Sequence, residues 1–364
     1  MTVPDEPVLD VRNLSVSFTR RSLIPGRRRT SLVVDDIDLT VQKGRTLGLV
    51  GESGSGKSTT AKAIVRLVDA QAGEVRLNGT DLLSLRGEAL KRARRSVQMV
   101  FQDPYSSLDP TMTIAECIAE PLTVHRIGDR ASRAAAVLDL LDQVGLPSSM
   151  ADLMPSQLSG GQRQRVAIAR AICLHPDLVL CDEPVSALDV STQNRILQML
   201  TDLRASHGIS FVLISHNLAA VQQLADDVAV MYCGTIVERG PAQAVTADPK
   251  HPYTRALVSA VPYPDPEVQR TRTRVVLTGD PANPADRPPG CVFQSRCPEV
   301  MPVCRSVVPR LADDGTGRSI ACHLYGPAPL PTPQNAPQSA PRTVPHDGAG
   351  PLRKLRPDTA GKSR

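Results

Sequence analysis

An α/β fold built on a parallel sheet is predicted by three features of the 364-residue sequence. A short apolar run at 46–50 leads into glycines and then into a helix-compatible segment at 58–68, the strand, tight loop and helix of one βα unit. Two further apolar runs, 178–181 and 211–214, each end in polar or charged residues, as strands of an open α/β sheet do where their carboxyl ends meet a ligand. Ahead of them, apolar residues recur at Val11, Leu14, Val16 and Phe18 and again at Ile37, Leu39 and Val41, so an antiparallel layer of half-buried strands opens the chain.

Between those first strands, residues 20–30 carry Arg27, Arg28 and Arg29 in series and are expected to be a solvated loop, with phosphate or headgroup contact as the alternative. A strand is expected at 97–101. The segment 106–158 lacks strand alternation, and Val137, Leu138, Leu141 and Val144 recur at helical spacing up to Gly145, so a mostly helical insertion, placed at about 103–165, is expected. Beyond 260 prolines multiply, although a cysteine-bearing segment at 290–325 interrupts the looseness. The proline-rich stretch 326–364 has almost no large apolar residue and is expected to be a disordered tail.

Composition narrows the function. With 41% apolar residues the chain can bury a sizeable core of one large or two modest domains. A net charge of +5 over this length gives no dense basic stripe, so nucleic-acid binding is not favoured. No run of 18 apolar residues occurs, and the first ten residues hold acids and prolines rather than a basic start and an apolar centre. Neither a transmembrane span nor a secretory signal is expected, which places the eight cysteines in a reducing compartment. Cys117, Cys173, Cys181 and Cys233 are scattered among apolar residues and read as small core side chains.

The chemistry starts at Gly51-Glu52-Ser53-Gly54-Ser55-Gly56-Lys57-Ser58, followed by Thr59, which fits G-x-x-x-x-G-K-[ST] after a strand and before a helix. Glycines there let backbone N–H groups face phosphate oxygens, and the helix adds its positive end. Lys57 is expected to reach the β and γ phosphates and Ser58 to ligate Mg²⁺. Asp182 and Glu183 follow the second apolar run: the first suits Mg²⁺ and the second can polarise an attacking water. Leu158-Ser159-Gly160-Gly161-Gln162 precedes another helix and forms a second anion site. Two such sites imply either two ligands or one ligand shared between two subunits.

That pentapeptide, with the phosphate loop before it and the acid pair after it, resembles the ATP-binding subunit of ABC transporters over about residues 8–240. The resemblance implies a P-loop NTPase core (RecA-like) with an antiparallel β subdomain and a helical insertion. It implies head-to-tail pairing with a second ABC ATPase, the same or related, so that Ser159 and Gly161 of one protomer cap the ATP held by Lys57 of the other. Phe18 occupies the place of the aromatic that stacks on adenine, an edge-strand core residue being the alternative. Gln102 matches the glutamine that touches Mg²⁺ and water. Ser186-Ala187-Leu188-Asp189 matches the loop that communicates across the dimer, and His216 the switch histidine that holds Glu183 and water in line. With every catalytic position present, hydrolytic competence is expected. A soluble ABC ATPase acting on nucleic acid would call for tandem nucleotide domains or a long basic arm, and a regulator without turnover for replacement of Glu183 or His216.

The carboxyl-terminal region narrows the resemblance. His251-Pro252-Tyr253-Thr254-Arg255-Ala256-Leu257, Pro-Pro-Gly-Cys at 288–291 and Arg296-Cys297-Pro298 resemble the extension of oligopeptide and dipeptide importer ATPases, as does Phe101-Gln102-Asp103-Pro104-Tyr105. An ATP-binding domain at 1–260 and an extension at 261–325 are expected. The resemblance implies two membrane permease subunits, an extracytoplasmic peptide-binding protein acting indirectly, and a peripheral location on the cytoplasmic face of the cell membrane. Nickel importers share much of this extension, so nickel or another small solute is the alternative cargo. Cys291, Cys297, Cys304 and Cys322 read C-x5-C-x6-C-x17-C, without the C-x-x-C hairpin of zinc ribbons. A [4Fe-4S] cluster is expected, with structural zinc or four uncoordinated thiols as alternatives and with His323 a possible competitor of Cys322.

Overall fold

The computed structural model describes residues 6–21, 28–186, 188–261, 270, 275–280, 282–284 and 286–325. The expectation of a disordered tail at 326–364 lies outside the described residues. The chain opens with β1 (Leu9–Arg21) and β2 (Arg28–Val41), then β3 (Thr46–Val50) and α1 (Lys57–Ile64). The first layer is completed by β4 (Ala72–Leu77) and β5 (Thr80–Asp81), and α2 (Gly87–Ala93) leads to β6 (Val97–Val100). The helical segment follows: α3 (Pro104–Ser107), α4 (Ile114–Val124), α5 (Arg130–Gln143) and α6 (Gly160–Ile172). After it come β7 (Leu178–Asp182), α7 (Val190–His207), β8 (Ser210–Ser215), α8 (Leu218–Leu224), β9 (Asp227–Tyr232) and β10 (Thr235–Pro241). The chain closes with α9 (Ala242–Ala247), α10 (Pro252–Ala260), β11 (Ala312–Asp313) and β12 (Ser319–Ile320).

Among the described residues two sheets form. One is antiparallel, in the order β2-β1-β4-β5; the other runs β11-β12-β10-β9-β3-β8-β7-β6, with β9, β3, β8, β7 and β6 parallel. The central strands are apolar throughout because both their faces are covered. Their period of two divides them between two cores. Val179 and Cys181 of β7, with Phe211 and Leu213 of β8, face the helices α4 to α7. Leu178 and Leu180, with Val212 and Ile214, face α1 and the antiparallel sheet.

Three local expectations change. The β1–β2 hairpin runs further than a loop at 20–30 allows, pairing Arg20 with Arg29 and Arg21 with Arg28. The arginine-rich sequence there offers no apolar alternation to read. The strand expected at 97–101 ends at Val100, freeing the chain to turn into the helical segment. On α5, Val137, Leu140 and Leu141 are buried while Leu138 is 46% exposed, so Leu140 occupies the core place assigned to Leu138. Gly145 ends that helix in the left-handed region, with its N–H on Asp142 O. Cys117, Cys173, Cys181 and Cys233 are buried, as small core side chains should be.

Candidate nucleotide site

Strand order assembles the site. In the parallel ladder β3-β8-β7-β6, every strand ends at the same edge, and neighbouring strands lie about 4.8 Å apart. The phosphate loop leaves β3, His216 follows β8, Asp182 and Glu183 close β7, and Gln102 follows β6. Residues more than a hundred positions apart in the chain are thereby set side by side.

The loop wraps around its own lysine. Lys57 is buried and its Nζ donates to Gly51 O at 2.8 Å and to Glu52 O at 2.7 Å, with Ser55 Oγ at 3.4 Å. Burial pulls its pKa down, and the carboxylates of Glu183, Asp182 and Glu52 oppose that fall. Gly56, just before α1, sits at φ 107 with Val33 O 2.8 Å from where a Cβ would stand, so no side chain fits there. Ser53 and Gly54 are exposed, Gly51 and Ser55 are buried, and Thr59 lies half-buried in the first turn of α1.

Ser58 Oγ donates to Asp182 Oδ1 at 2.8 Å. Desolvation raises the Asp182 pKa, and the Ser58 hydrogen bond works against the rise. A buried carboxylate that accepts from a hydroxyl beside the phosphate loop fits the oxygen-donor set that Mg²⁺ takes.

Glu183 is held from two sides. Gln102 Nε2 donates to Oε2 at 3.2 Å, and His216 Nδ1 lies 3.2 Å from Oε1. Its backbone adopts φ 47, a left-handed conformation uncommon for a non-glycine residue, while its N–H donates to Ile214 O at 3.0 Å. The β7–β8 ladder thus continues one step past the strand and then turns the carboxylate toward the loop. Gln102 and His216 are exposed, as groups that meet a ligand must be.

The pentapeptide lies at a different place on the same chain. Ser159 caps α6 in a reciprocal box: Gln162 N donates to Ser159 Oγ at 3.3 Å and Ser159 N to Gln162 Oε1 at 2.8 Å. With Gly160, Gly161, Tyr105, Arg165 and Asp189 these residues line a cleft of about 550 Å³ that shares no lining residue with the phosphate loop. Asp189 itself caps α7, accepting from Thr192 N at 3.0 Å and Ser191 Oγ at 2.6 Å, and these bonds hold its pKa well below the usual carboxylate range. Phe18 is 41% exposed on β1, which fits an open face for a ring and argues against the edge-strand core alternative.

The four terminal cysteines converge. Burial pushes the Cys291 thiol up to about 11 and raises those of Cys297 and Cys322, and all three are raised further by neighbouring thiols of the group. Cys291 N donates to Cys304 O at 2.8 Å. Yet among the described residues no group of three or more His, Cys, Asp and Glu is disposed to hold a metal ion. The [4Fe-4S] cluster expected from the sequence at Cys291, Cys297, Cys304 and Cys322 finds no support in this arrangement. His323 Nε2 meets Val307 O at 2.9 Å, which engages it away from the thiols.

Sequence reasoning missed two residues that touch the loop. Tyr253 Oη accepts from Glu52 N at 2.7 Å, and Arg296 makes a bidentate pair with the Glu52 carboxylate at 2.7 and 3.0 Å. Both lay within motifs quoted for the carboxyl-terminal region, but nothing in their spacing points to Glu52.

A family model described as ABC transporter matches residues 34–186, and one described as oligopeptide/dipeptide transporter, C-terminal region matches 237–304. The chain is 49% identical over 295 residues to the "Probable peptide ABC transporter ATP-binding protein y4tS" of Sinorhizobium fredii, covering 81% of this chain and 83% of that one. It is 40% identical over 322 residues to the oligopeptide transport ATP-binding protein AppF of Bacillus subtilis, covering 88% and 98%. Among solved structures, the dimeric post-hydrolysis state of the ATP-binding cassette MJ0796 bound to ADP and Pi matches with a TM-score of 0.58 at 28% identity, over 64% of this chain and 98% of that one. The fold is also that of cbiO1 from Clostridium perfringens, with a TM-score of 0.57 at 23% identity.

Proposed function

The chain belongs to the ABC transporter ATP-binding family, whose members hydrolyse ATP, and from that premise we propose that it powers peptide import through a membrane permease. The observation that carries the reading is the joint presence of a complete hydrolytic site and the carboxyl-terminal region matched to oligopeptide and dipeptide transporters. Similarity to peptide-transport relatives over more than four-fifths of the chain favours peptide over nickel as cargo.

In this reading the glycines at 51, 54 and 56 and the residues between them cradle the phosphates, Lys57 leaves the carbonyls of Gly51 and Glu52 to meet the β and γ oxygens, and Phe18 stacks on adenine. Ser58, Asp182 and Gln102 would hold Mg²⁺, which when bound neutralises charge on the phosphates. Glu183 accepts a proton from the attacking water while Gln102 and His216 hold its two carboxylate oxygens in place. The pentapeptide cleft is separate from the phosphate loop, which supports a head-to-tail dimer in which Ser159 and Gly161 of one copy reach the nucleotide of the other. Closure would move two permease subunits, fed from the far side by a peptide-binding protein. Among the described residues no helix is long and apolar enough to cross a membrane, consistent with peripheral attachment at the cytoplasmic face.

Division into an ATP-binding domain at 1–260, an extension at 261–325 and a tail belongs to the same proposal. So does metal at the extension: convergence of four thiols supports it, and ultraviolet–visible spectra of anaerobically prepared protein decide between iron–sulfur and free thiols. The reading as a whole is tested by reconstituting the chain with adjacent-gene permeases in vesicles. ATP-dependent uptake of labelled peptide is expected. Turnover without uptake of any peptide, together with uptake of nickel, would replace peptide by metal.

A further inference from the structure

Glu52, the second residue of the phosphate loop, is held at three groups. Its carbonyl accepts from Lys57 Nζ at 2.7 Å, its N–H donates to Tyr253 Oη at 2.7 Å, and its carboxylate receives both arms of Arg296 at 2.7 and 3.0 Å. Lys57 has three N–H donors, so serving both a β and a γ oxygen takes at least one of them from Gly51 O or Glu52 O, and nucleotide binding weakens the first of these holds. The other two come from the carboxyl-terminal part of the chain and draw on no atom of Lys57.

Both are anchored in a rigid bed. Tyr253 is fully buried and Arg296 is 9% exposed. Tyr232, Tyr253 and Phe293 pack edge to face or tilted, with centroids 4.7 to 5.5 Å apart, and the Arg296 guanidinium lies 5.9 Å from the Tyr232 centroid. The loop also borders a cavity of about 320 Å³ whose lining includes Glu52, Ser53, Gly54, Ser55, Cys233 and Pro284. A planar guanidinium fork, itself buried and matched to a carboxylate, fixes position as well as charge.

We propose that Arg296 and Tyr253 are positioning residues for nucleotide binding, holding Glu52 in place as Lys57 transfers from the loop carbonyls to the phosphates. The carboxyl-terminal region thereby sets the affinity of the phosphate loop without touching nucleotide. This rests on the reading of the chain as an ATPase. The pair acts on the binding of Mg·ATP, not on Glu183 or its water, so its loss separates KM from kcat.

The test is steady-state ATP hydrolysis and fluorescent-nucleotide binding by the full-length chain and its Arg296→Met, Arg296→Lys and Glu52→Gln variants. Arg296→Met and Glu52→Gln are each expected to raise KM and Kd about tenfold with kcat within about twofold, and Arg296→Lys to recover part of the loss. In the double variant, KM is expected to rise no further than in either single one, because both remove one ion pair. The proposal is overturned if KM stays within about twofold of the parent, if kcat falls at constant KM, or if the two effects multiply. Should Arg296→Met not fold, Glu52→Gln and Tyr253→Phe decide the matter from the other side of each contact. An inactive parent chain that also fails to bind nucleotide would overturn both this and the functional reading, whereas an active parent with indifferent variants overturns the positioning role alone.

Discussion

His216 Nδ1 stands 3.2 Å from Glu183 Oε1, each residue directly beyond the carboxyl end of one of two neighbouring parallel strands. The second oxygen of Glu183 accepts from Gln102 one strand further along. A carboxylate so bracketed has a fixed direction, which a general base needs more than a large change of pKa. Glu183→Gln keeps a group of the same shape between the same partners and removes the proton acceptor. Turnover is expected to fall about 10²- to 10⁴-fold. Nucleotide binding persists and the closed dimer accumulates, as size-exclusion chromatography with Mg·ATP would report. Near-parental turnover in that variant would take Glu183 out of its role.

How much of this was legible depends on how local the signal is. The phosphate loop is eight consecutive residues, and its strand and helix lie on either side, so backbone chemistry alone identifies it. Asp182, Glu183, His216 and Gln102 each follow an apolar strand, and their assembly needs only the rule that parallel strands end together. The clamp on Glu52 is different. Tyr253 and Arg296 are 201 and 244 positions away, and they reach the loop through tertiary packing, the first from the start of α10 and the second from an irregular segment that has no periodicity to read. Cysteine spacing is different again: it sets how much chain joins the thiols and says nothing of where their sulfurs point.

Lys57 is expected to report nucleotide binding through stability. The parent chain with Mg·ATP at about 100 times Kd gains about 2.7 kcal/mol from ligand linkage. Lys57→Ala removes the cation that would meet the phosphates, so its thermal midpoint should be nearly indifferent to Mg·ATP. Burial lowers the Lys57 pKa, so its own removal relieves a desolvation cost even as the bonds to Gly51 O and Glu52 O are lost. A variant that still shifts with nucleotide as the parent does would contradict the assignment.

Gly161 faces the pentapeptide cleft, and a Cβ there would meet Thr192 Cγ2 at 2.7 Å. Gly161→Asp adds both that crowding and a negative charge where a partner's phosphate is expected. Each protomer's own phosphate loop is untouched, so nucleotide still binds, but pairing fails and turnover falls by about 10²-fold or more. Light scattering with Mg·ATP and the Glu183→Gln background separates loss of pairing from loss of chemistry: a dimer in that double variant would argue against a shared site.

His251 makes the extension's attachment sensitive to acid. It is buried at the start of α10, where its Nδ1 accepts from Tyr253 N at 3.1 Å, its N–H donates to Glu238 Oε2 at 2.9 Å, and the Phe293 ring lies 5.6 Å away. Burial, aided by the positive charge of Arg255, pulls its pKa down to about 3. The folded state therefore binds fewer protons than the unfolded state between that value and about 6.5, the unfolded value. This contribution to stability is complete above about pH 6.5 and is lost as pH falls toward 3, amounting to about 2 kcal/mol by pH 5. His251→Asn retains an oxygen that can cap Tyr253 N but cannot titrate. Urea midpoints measured from pH 7.5 to 5 are expected to fall less steeply in that variant, by the difference of about 2 kcal/mol. Parallel curves would mean that His251 is not what acid attacks, and because Tyr253 carries the hydrogen bond to Glu52, the same titration followed by nucleotide binding would show how far a proton at α10 reaches into the phosphate loop.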